Sequence, residues 1–294
     1  MKLIYTLFVF LSIILVAEEA PFFPEVNHAF LFDPNVNNDV AFAFNSKSKN
    51  TTSNINLALL HQNREWDYNW IVLGFSVATP TGKFGIGYSY YGSSNLPLTA
   101  NSSTYGTYIK SYESDKFESI RIAYSPFYKW VNLTTFFNFK KRTLIDQTAS
   151  AIFIDFSLTS PYVLNSQLGI NSKNLIGTDY VWNDDLDTSN EEEELPQYIG
   201  IFYYQPIFNF TLMVENDFCL NYSDLSLATA GVSYQLDAAI RLYAAYQSAS
   251  YLTATSYGLD LDLSNQIKLS YTGRVEKNDY EQLDIHSIGI GVQF

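Results

Sequence analysis

The chain has one cysteine, two methionines and three histidines, and it sets only 17 basic residues against 30 acidic ones. The single Cys219 excludes an internal disulfide and most thiolate metal sites. A net charge of −13 leaves no basic face to neutralise phosphates, which excludes nucleic acid as a partner. Mean hydropathy of −0.05 argues against a helical membrane protein. The one long apolar run, Leu3 to Val16, is about 14 residues and too short for a spanning helix. With Lys2 before it and Ala17 after it, this run reads as a secretory signal peptide over residues 1–17, and no cysteine follows it to carry a lipid. Beyond residue 17 the sequence implies no helix longer than a turn or two.

Aromatic residues, in contrast, are abundant. Twenty-three Tyr, 22 Phe and 4 Trp make up 17% of the chain, and membrane barrels carry such residues in girdles at both interfaces. The end of the chain alternates strictly: Ile288, Ile290, Val292 and Phe294 fall on one strand face, and Ser287, Gly289, Gly291 and Gln293 on the other. Ser287, Gly289, Val292 and Phe294 have the spacing polar, x, Gly, x, x, hydrophobic, x, aromatic. That spacing resembles the signal by which bacterial outer-membrane barrels are recognised by the barrel assembly machinery. Upstream, the pattern predicts strands over 52–61, 67–78, 83–92, 116–127, 130–140, 149–159, 163–172, 197–206, 207–217, 224–236, 238–248, 253–263, 265–275 and 283–294. Most are long enough to cross a bilayer at a tilt.

The connections alternate in the way such a barrel requires. Counted back from Phe294, the two longest, 93–115 and 173–196, fall on the outside, and tight turns such as Thr79-Pro80-Thr81-Gly82 fall on the inside. The reading is therefore all-β: a transmembrane antiparallel β-barrel of about 14 strands over 52–294. A proline-broken hatch or plug segment over 18–51 precedes it. The expected location is the bacterial outer membrane, with outer-membrane lipid and lipopolysaccharide as surroundings.

Little chemistry stands out. Asp184, Asp185, Asp187 and Glu191 open an acidic run in the 173–196 connection and form a weak Ca²⁺ candidate of hard oxygen ligands without EF-hand spacing. A solvated acidic loop is the simpler reading. His28, His61 and His286 are the histidines. His286 and Ser287 are strand neighbours pointing to opposite faces, so they cannot act as base and nucleophile. No cofactor and no enzymatic activity are expected. Ala151, Phe153, Asp155 and Ser157 on one strand, and Ala239, Arg241, Tyr243 and Ala245 on another, predict an inward face less polar than that of a water-filled porin, suited to a hydrophobic solute or a plug.

Asp39-Val40-Ala41-Phe42-Ala43-Phe44-Asn45, Asn56-Leu57-Ala58-Leu59, Trp70-Ile71-Val72-Leu73-Gly74-Phe75, Gly85-Ile86-Gly87-Tyr88-Ser89-Tyr90-Tyr91-Gly92 and Ala149-Ser150-Ala151-Ile152-Phe153-Ile154-Asp155-Phe156 follow one another in this order. The series resembles the PorV/PorQ family, a branch of the FadL-like barrels. Where that family continues with Asn-Pro-Ala, this chain has Asn45-Ser46-Lys47. The resemblance implies a fourteen-stranded barrel with an amino-terminal hatch. It also implies a hydrophobic small molecule as transported partner or, alternatively, a secreted protein docked in type IX secretion; a structural barrel is the third possibility.

Overall fold

A computed structural model describes residues 54–63, 69–102, 106–126, 131–144, 147–160, 166–183, 191–222, 225–250, 252–264, 266–277 and 282–293. The expected signal peptide, the hatch and Phe294 lie outside them. Among the described residues the chain is built from strands. They are β1 (Asn54–Asn63), β2 (Asn69–Thr79), β3 (Gly82–Ser102), β4 (Gly106–Pro126), β5 (Asn132–Leu144) and β6 (Gln147–Thr159). Then come β7 (Gln167–Lys173), β8 (Ile176–Gly177), β9 (Tyr180–Asn183), β10 (Glu191–Glu193), β11 (Tyr198–Ile207) and β12 (Phe210–Cys219). The series ends with β13 (Leu227–Gln235), β14 (Ile240–Ala249), β15 (Thr253–Asp262), β16 (Ile267–Lys277) and β17 (Gln282–Gln293).

All pairings are antiparallel, and they return to their start. β1 pairs with β2 on one side and with β17 on the other, the seam running from Asn54↔Gln293 to Asn63↔Asp284. From β2 the ladder passes through β3, β4, β5 and β6 to β7, then to β11, and strand by strand to β17. The seventeen segments occupy fourteen positions in this ring. β7, β8 and β9 lie one after another along β6 and count once, and β10 and β11, on β9 and β7, count once. Each of the fourteen stretches predicted from alternation overlaps one of these positions.

Two predicted loops contain strand. Most of 93–115 continues β3 and β4 into a hairpin of two 21-residue strands, and 173–196 holds β8, β9 and β10. The predicted strand at 207–217 starts three residues later, because Phe208 and Asn209 form the turn after β11, with Phe208 at φ 54°. Other turns at this end are held by side chains. Thr79 Oγ1 donates to the Gly82 carbonyl at 2.7 Å, and Asp237 Oδ1 accepts from the N–H groups of Ala239 and Ile240 at 2.7 and 2.8 Å.

Strand parity divides the wall into two surfaces. On β6, Ala149, Ala151, Phe153, Asp155, Ser157 and Thr159 are buried while Ile152, Ile154 and Leu158 are exposed. The outer face is apolar on strand after strand: Leu73 and Phe75 on β2, Ile120 and Ile122 on β4, Phe137 and Phe139 on β5, Leu212 on β12, Ile288 and Ile290 on β17. Polar residues lie inside and greasy ones outside, the inverse of a soluble sandwich and the arrangement that a bilayer imposes on a barrel.

Candidate functional site: the inward face and a break in the wall

The inward positions of β4 to β12 carry a belt of paired charges. Arg121 on β4 lies over the Phe136 ring at 4.0 Å and 3.8 Å from the Asp155 carboxylate. Asn138 Nδ2 donates to Asp155 Oδ2 at 2.7 Å, and the Leu175 N–H donates to Oδ1 at 3.4 Å. Lys140 donates to Asn174 Oδ1 at 2.9 Å, and Asn174 Nδ2 to the Pro196 carbonyl at 2.9 Å. Farther round, Asn171 Nδ2 donates to Glu215 at 3.0 Å and Lys173 Nζ to Asp217 at 2.9 Å. Asp155, Glu215 and Asp217 are nearly fully buried, which charged groups tolerate only when paired and hydrogen-bonded.

A second cluster fills the inward face of β13 to β16. Arg274, 4% exposed, lies 2.6 Å from Glu276 and donates to Gln247, whose Nε2 reaches Thr229 at 3.2 Å. Tyr243 and Thr272 share a hydrogen bond of 3.0 Å beside it. The prediction of a weakly polar inward face is thus corrected. The predicted residues Ala151, Phe153, Asp155, Ser157, Tyr243 and Ala245 are inward and buried, whereas Ala239 is exposed in the turn before β14, and charged and amide side chains sit among the inward ones and neutralise one another. Alternation within a strand gives the face of each residue. It does not give its partner on a strand 44 residues away, as for Lys173 and Asp217.

The wall is irregular at one place beside this belt. β6 pairs with β7 from Thr159↔Gly169 to Ser157↔Asn171, and pairing resumes at Ile154↔Ile176 on β8. Three steps along β6 therefore face five along the other strand. Asn174, in the middle, has φ 55°, a conformation that Asn accepts more readily than most side chains. Side chains replace the missing ladder: the Phe156 N–H donates to Ser172 Oγ at 2.9 Å, and Asp155 takes the Leu175 N–H. Beyond the gap the Thr178 N–H donates to the Ile152 carbonyl at 3.0 Å, and the Ile152 N–H to Thr178 Oγ1 at 3.2 Å.

On the 148–154 side of that gap, the inward face is apolar. Ala149, Ala151, Phe153, Tyr180 and Leu195 form one buried cluster, with Trp182 packed on it. Arg142 borders the patch, 3.6 Å from Glu193 and 3.7 Å from Asp115, over the rings of Phe117 at 4.7 Å and Trp182 at 5.6 Å. Trp182 Nε1 donates to Glu193 at 2.9 Å. Acidic groups crowd this end of the wall: the Tyr222 phenol, on the connection after β12, is raised above its usual range by partial burial first and by the negative charge of Glu194 second.

Of the acidic Ca²⁺ candidates, Asp184, Asp185 and Asp187 lie outside the described residues, and Glu191 stands on β10 opposite Trp182. Among the described residues no group of three or more Asp, Glu, His or Cys side chains could hold a metal. Ser287, Gly289 and Val292 occupy the seam opposite Leu60, Ala58 and Ile55. His28 lies outside the described residues. His286 is exposed on the outer wall, where its Nδ1 shares a hydrogen bond of 2.9 Å with the Tyr271 hydroxyl.

No protein-family model matches the chain, and no curated protein matches it by sequence. Solved structures match it in shape. The monoaromatic hydrocarbon channel CymD superposes with a TM-score of 0.63 at 9% identity, over 92% of this chain and 94% of that one. The Ralstonia pickettii toluene transporter TbuX gives 0.61 at 11% identity over 92% and 94%. The Pseudomonas putida toluene transporter TodX gives 0.62 at 10% identity, over 88% of this chain and 91% of that one. The chain has the antiparallel β-barrel fold of these proteins along nearly their whole length.

Proposed function

We propose that this chain is an outer-membrane channel for hydrophobic molecules of the FadL-like group, without enzymatic activity. The observation that carries the reading is the break between β6 and β7–β8. It stands beside an inward patch of Ala149, Ala151, Phe153 and Leu195, in a wall whose outer face is apolar. An apolar solute needs a surface to rest on and a way past the charged belt. The patch supplies the first, and a wall held by side chains instead of a backbone ladder supplies the second. The fold shared with a toluene transporter and a monoaromatic hydrocarbon channel supports the same reading, as does the resemblance of 39–45, 85–92 and 149–156 to the PorV/PorQ branch.

The test is mass spectrometry of lipids that co-purify with the protein extracted from outer membranes, beside a variant lacking residues 21–38. Enrichment of a fatty acid or hydrocarbon that changes with the deletion is the expected result. A secreted protein co-purifying in place of any enriched lipid would replace the channel with a docking barrel. Recovery of the protein from the soluble fraction would sink both.

A further inference from the structure

Basic side chains inside the barrel are matched to acidic ones. Arg121, Arg142, Lys173 and Arg274 each stand against a carboxylate. Two lysines on the outside differ from them. Lys116 on β4 and Lys141 on β5 have the strand parity of Ile120, Ile122, Phe137 and Phe139, which places them on the outer face. Among the described residues neither lysine makes a hydrogen bond, ion pair or ring contact.

The register gives the surface beside them. Ile122, Phe137 and Ile154 form one outward row across β4, β5 and β6, and Ile120, Phe139 and Ile152 form the next. All six are exposed. The following row is Glu118, Lys141 and Ser150, and the one after it Lys116, Thr143 and Thr148. The wall thus passes from apolar to polar in a single step. Lys116 and Lys141 are diagonal neighbours just beyond that step, about 7 Å apart at Cβ, so that both ammonium groups can reach one phosphate. Glu118 shares the rung of Lys141, but its carboxylate accepts the Tyr88 hydroxyl at 3.1 Å from β3, the other neighbour of β4.

These rows lie at the end from which the β3–β4 hairpin extends, opposite the tight turns at Thr79–Gly82 and Asp237. Short turns mark the periplasmic rim of an outer-membrane barrel, so the lysines stand at the headgroup level of the outer leaflet.

We propose that Lys116 and Lys141 bind a phosphate of an outer-leaflet phosphorylated glycolipid, of the lipopolysaccharide class, whose acyl chains lie on Ile120, Phe139 and Ile152. A soluble anion would leave the apolar rows uncovered, and a lipid without phosphate would leave both ammonium groups unanswered. The inference rests on the wall lying in an outer-membrane bilayer, whatever the lumen carries.

The test adds bisphosphorylated lipid A, or the same lipid after enzymatic dephosphorylation, to the full protein in detergent and counts bound lipid by native mass spectrometry. One phosphorylated lipid per chain is expected to depend on the two lysines: Lys116→Gln/Lys141→Gln should weaken it about thirtyfold. The dephosphorylated lipid should bind wild type and double variant alike. Lys277→Gln, an exposed lysine on β16, and deletion of residues 21–38 should both leave glycolipid binding unchanged, which separates this site from an apolar solute in the lumen. Equal affinity of wild type and double variant for the phosphorylated lipid would overturn the proposal. So would displacement of the lipid by inorganic phosphate beyond the effect of chloride at the same ionic strength. Should the double variant fail to fold, acetylation of the wild type decides: the phosphorylated lipid must protect Lys116 and Lys141, and equal labelling in the two lipids refutes the site.

Discussion

The sector from β12 to β17 and the sector from β6 to β11 solve the same problem differently. In the first, each strand pairs continuously with both neighbours, and the buried charge of Arg274 is answered within its own sector by Glu276, Gln247 and Ser256. In the second, strands are divided at 174–175 and 194–197, and side chains of Asp155, Ser172, Asn174 and Thr178 hold backbone groups that a ladder would otherwise hold. A backbone ladder is nearly indifferent to sequence. A wall held by four particular side chains is not, and it is also the wall that can part at lower cost.

The largest expected effect lies at Gly200 on β11. A Cβ there would come within 2.0 Å of Asn171 Oδ1 and 2.1 Å of Asp217 Oδ1, so Gly200→Leu must expel both and strand Glu215 and Lys173. A loss of about 5 kcal/mol is expected, read as a collapse of the urea midpoint of the detergent-folded barrel.

Next are Asp155→Ala and Arg274→Ala, one in each sector, each leaving a buried charge without its partner. Both should cost about 3–5 kcal/mol in the same measurement. Only Asp155→Ala should speed amide exchange at Leu175 and its neighbours. Equal exchange in the two variants would erase the distinction between the sectors. Ser172→Ala removes the acceptor of the Phe156 N–H and should cost about 1–3 kcal/mol, with faster exchange confined to the break. The smallest effect is a gain. Phe208, fully exposed in its turn at φ 54°, is strained, and Phe208→Gly should stabilise the barrel by about 1 kcal/mol in urea refolding.

What was legible in the sequence follows from what makes strands alternate. Residues between two unlike media alternate, so each of the fourteen stretches could be found, and the inward set on β6 could be named from Ala151 to Ser157. Where a strand leaves the wall and meets similar surroundings on both faces, the period disappears. That is why Ser93–Ser102 and Gly106–Ser114 read as loop although they pair as strand. The candidate site was half legible: its apolar side chains show in the alternation, but its ion pairs need the closed register. Asn174 is a residue type suited to its conformation, yet nothing in the local sequence marks it as the point where β7 breaks.

The long β3–β4 hairpin has a practical consequence. Its ladders to β2 and β5 end at Gly92 and Asp115, so among the described residues the remaining rungs stand as a two-stranded ribbon about 30 Å long. Such a ribbon offers two open edges to any other extended chain. Here Pro97 lacks one donor, and the register shifts between Ser93 and Leu96 and between Leu98 and Thr99 disrupt the regular repeat that another chain would need as a template. Its outermost described rung is Ser102↔Gly106, ten residues beyond Gly92 along β3. A peptide tag spliced there would be displayed far from the charged belt, with the barrel's folding left undisturbed.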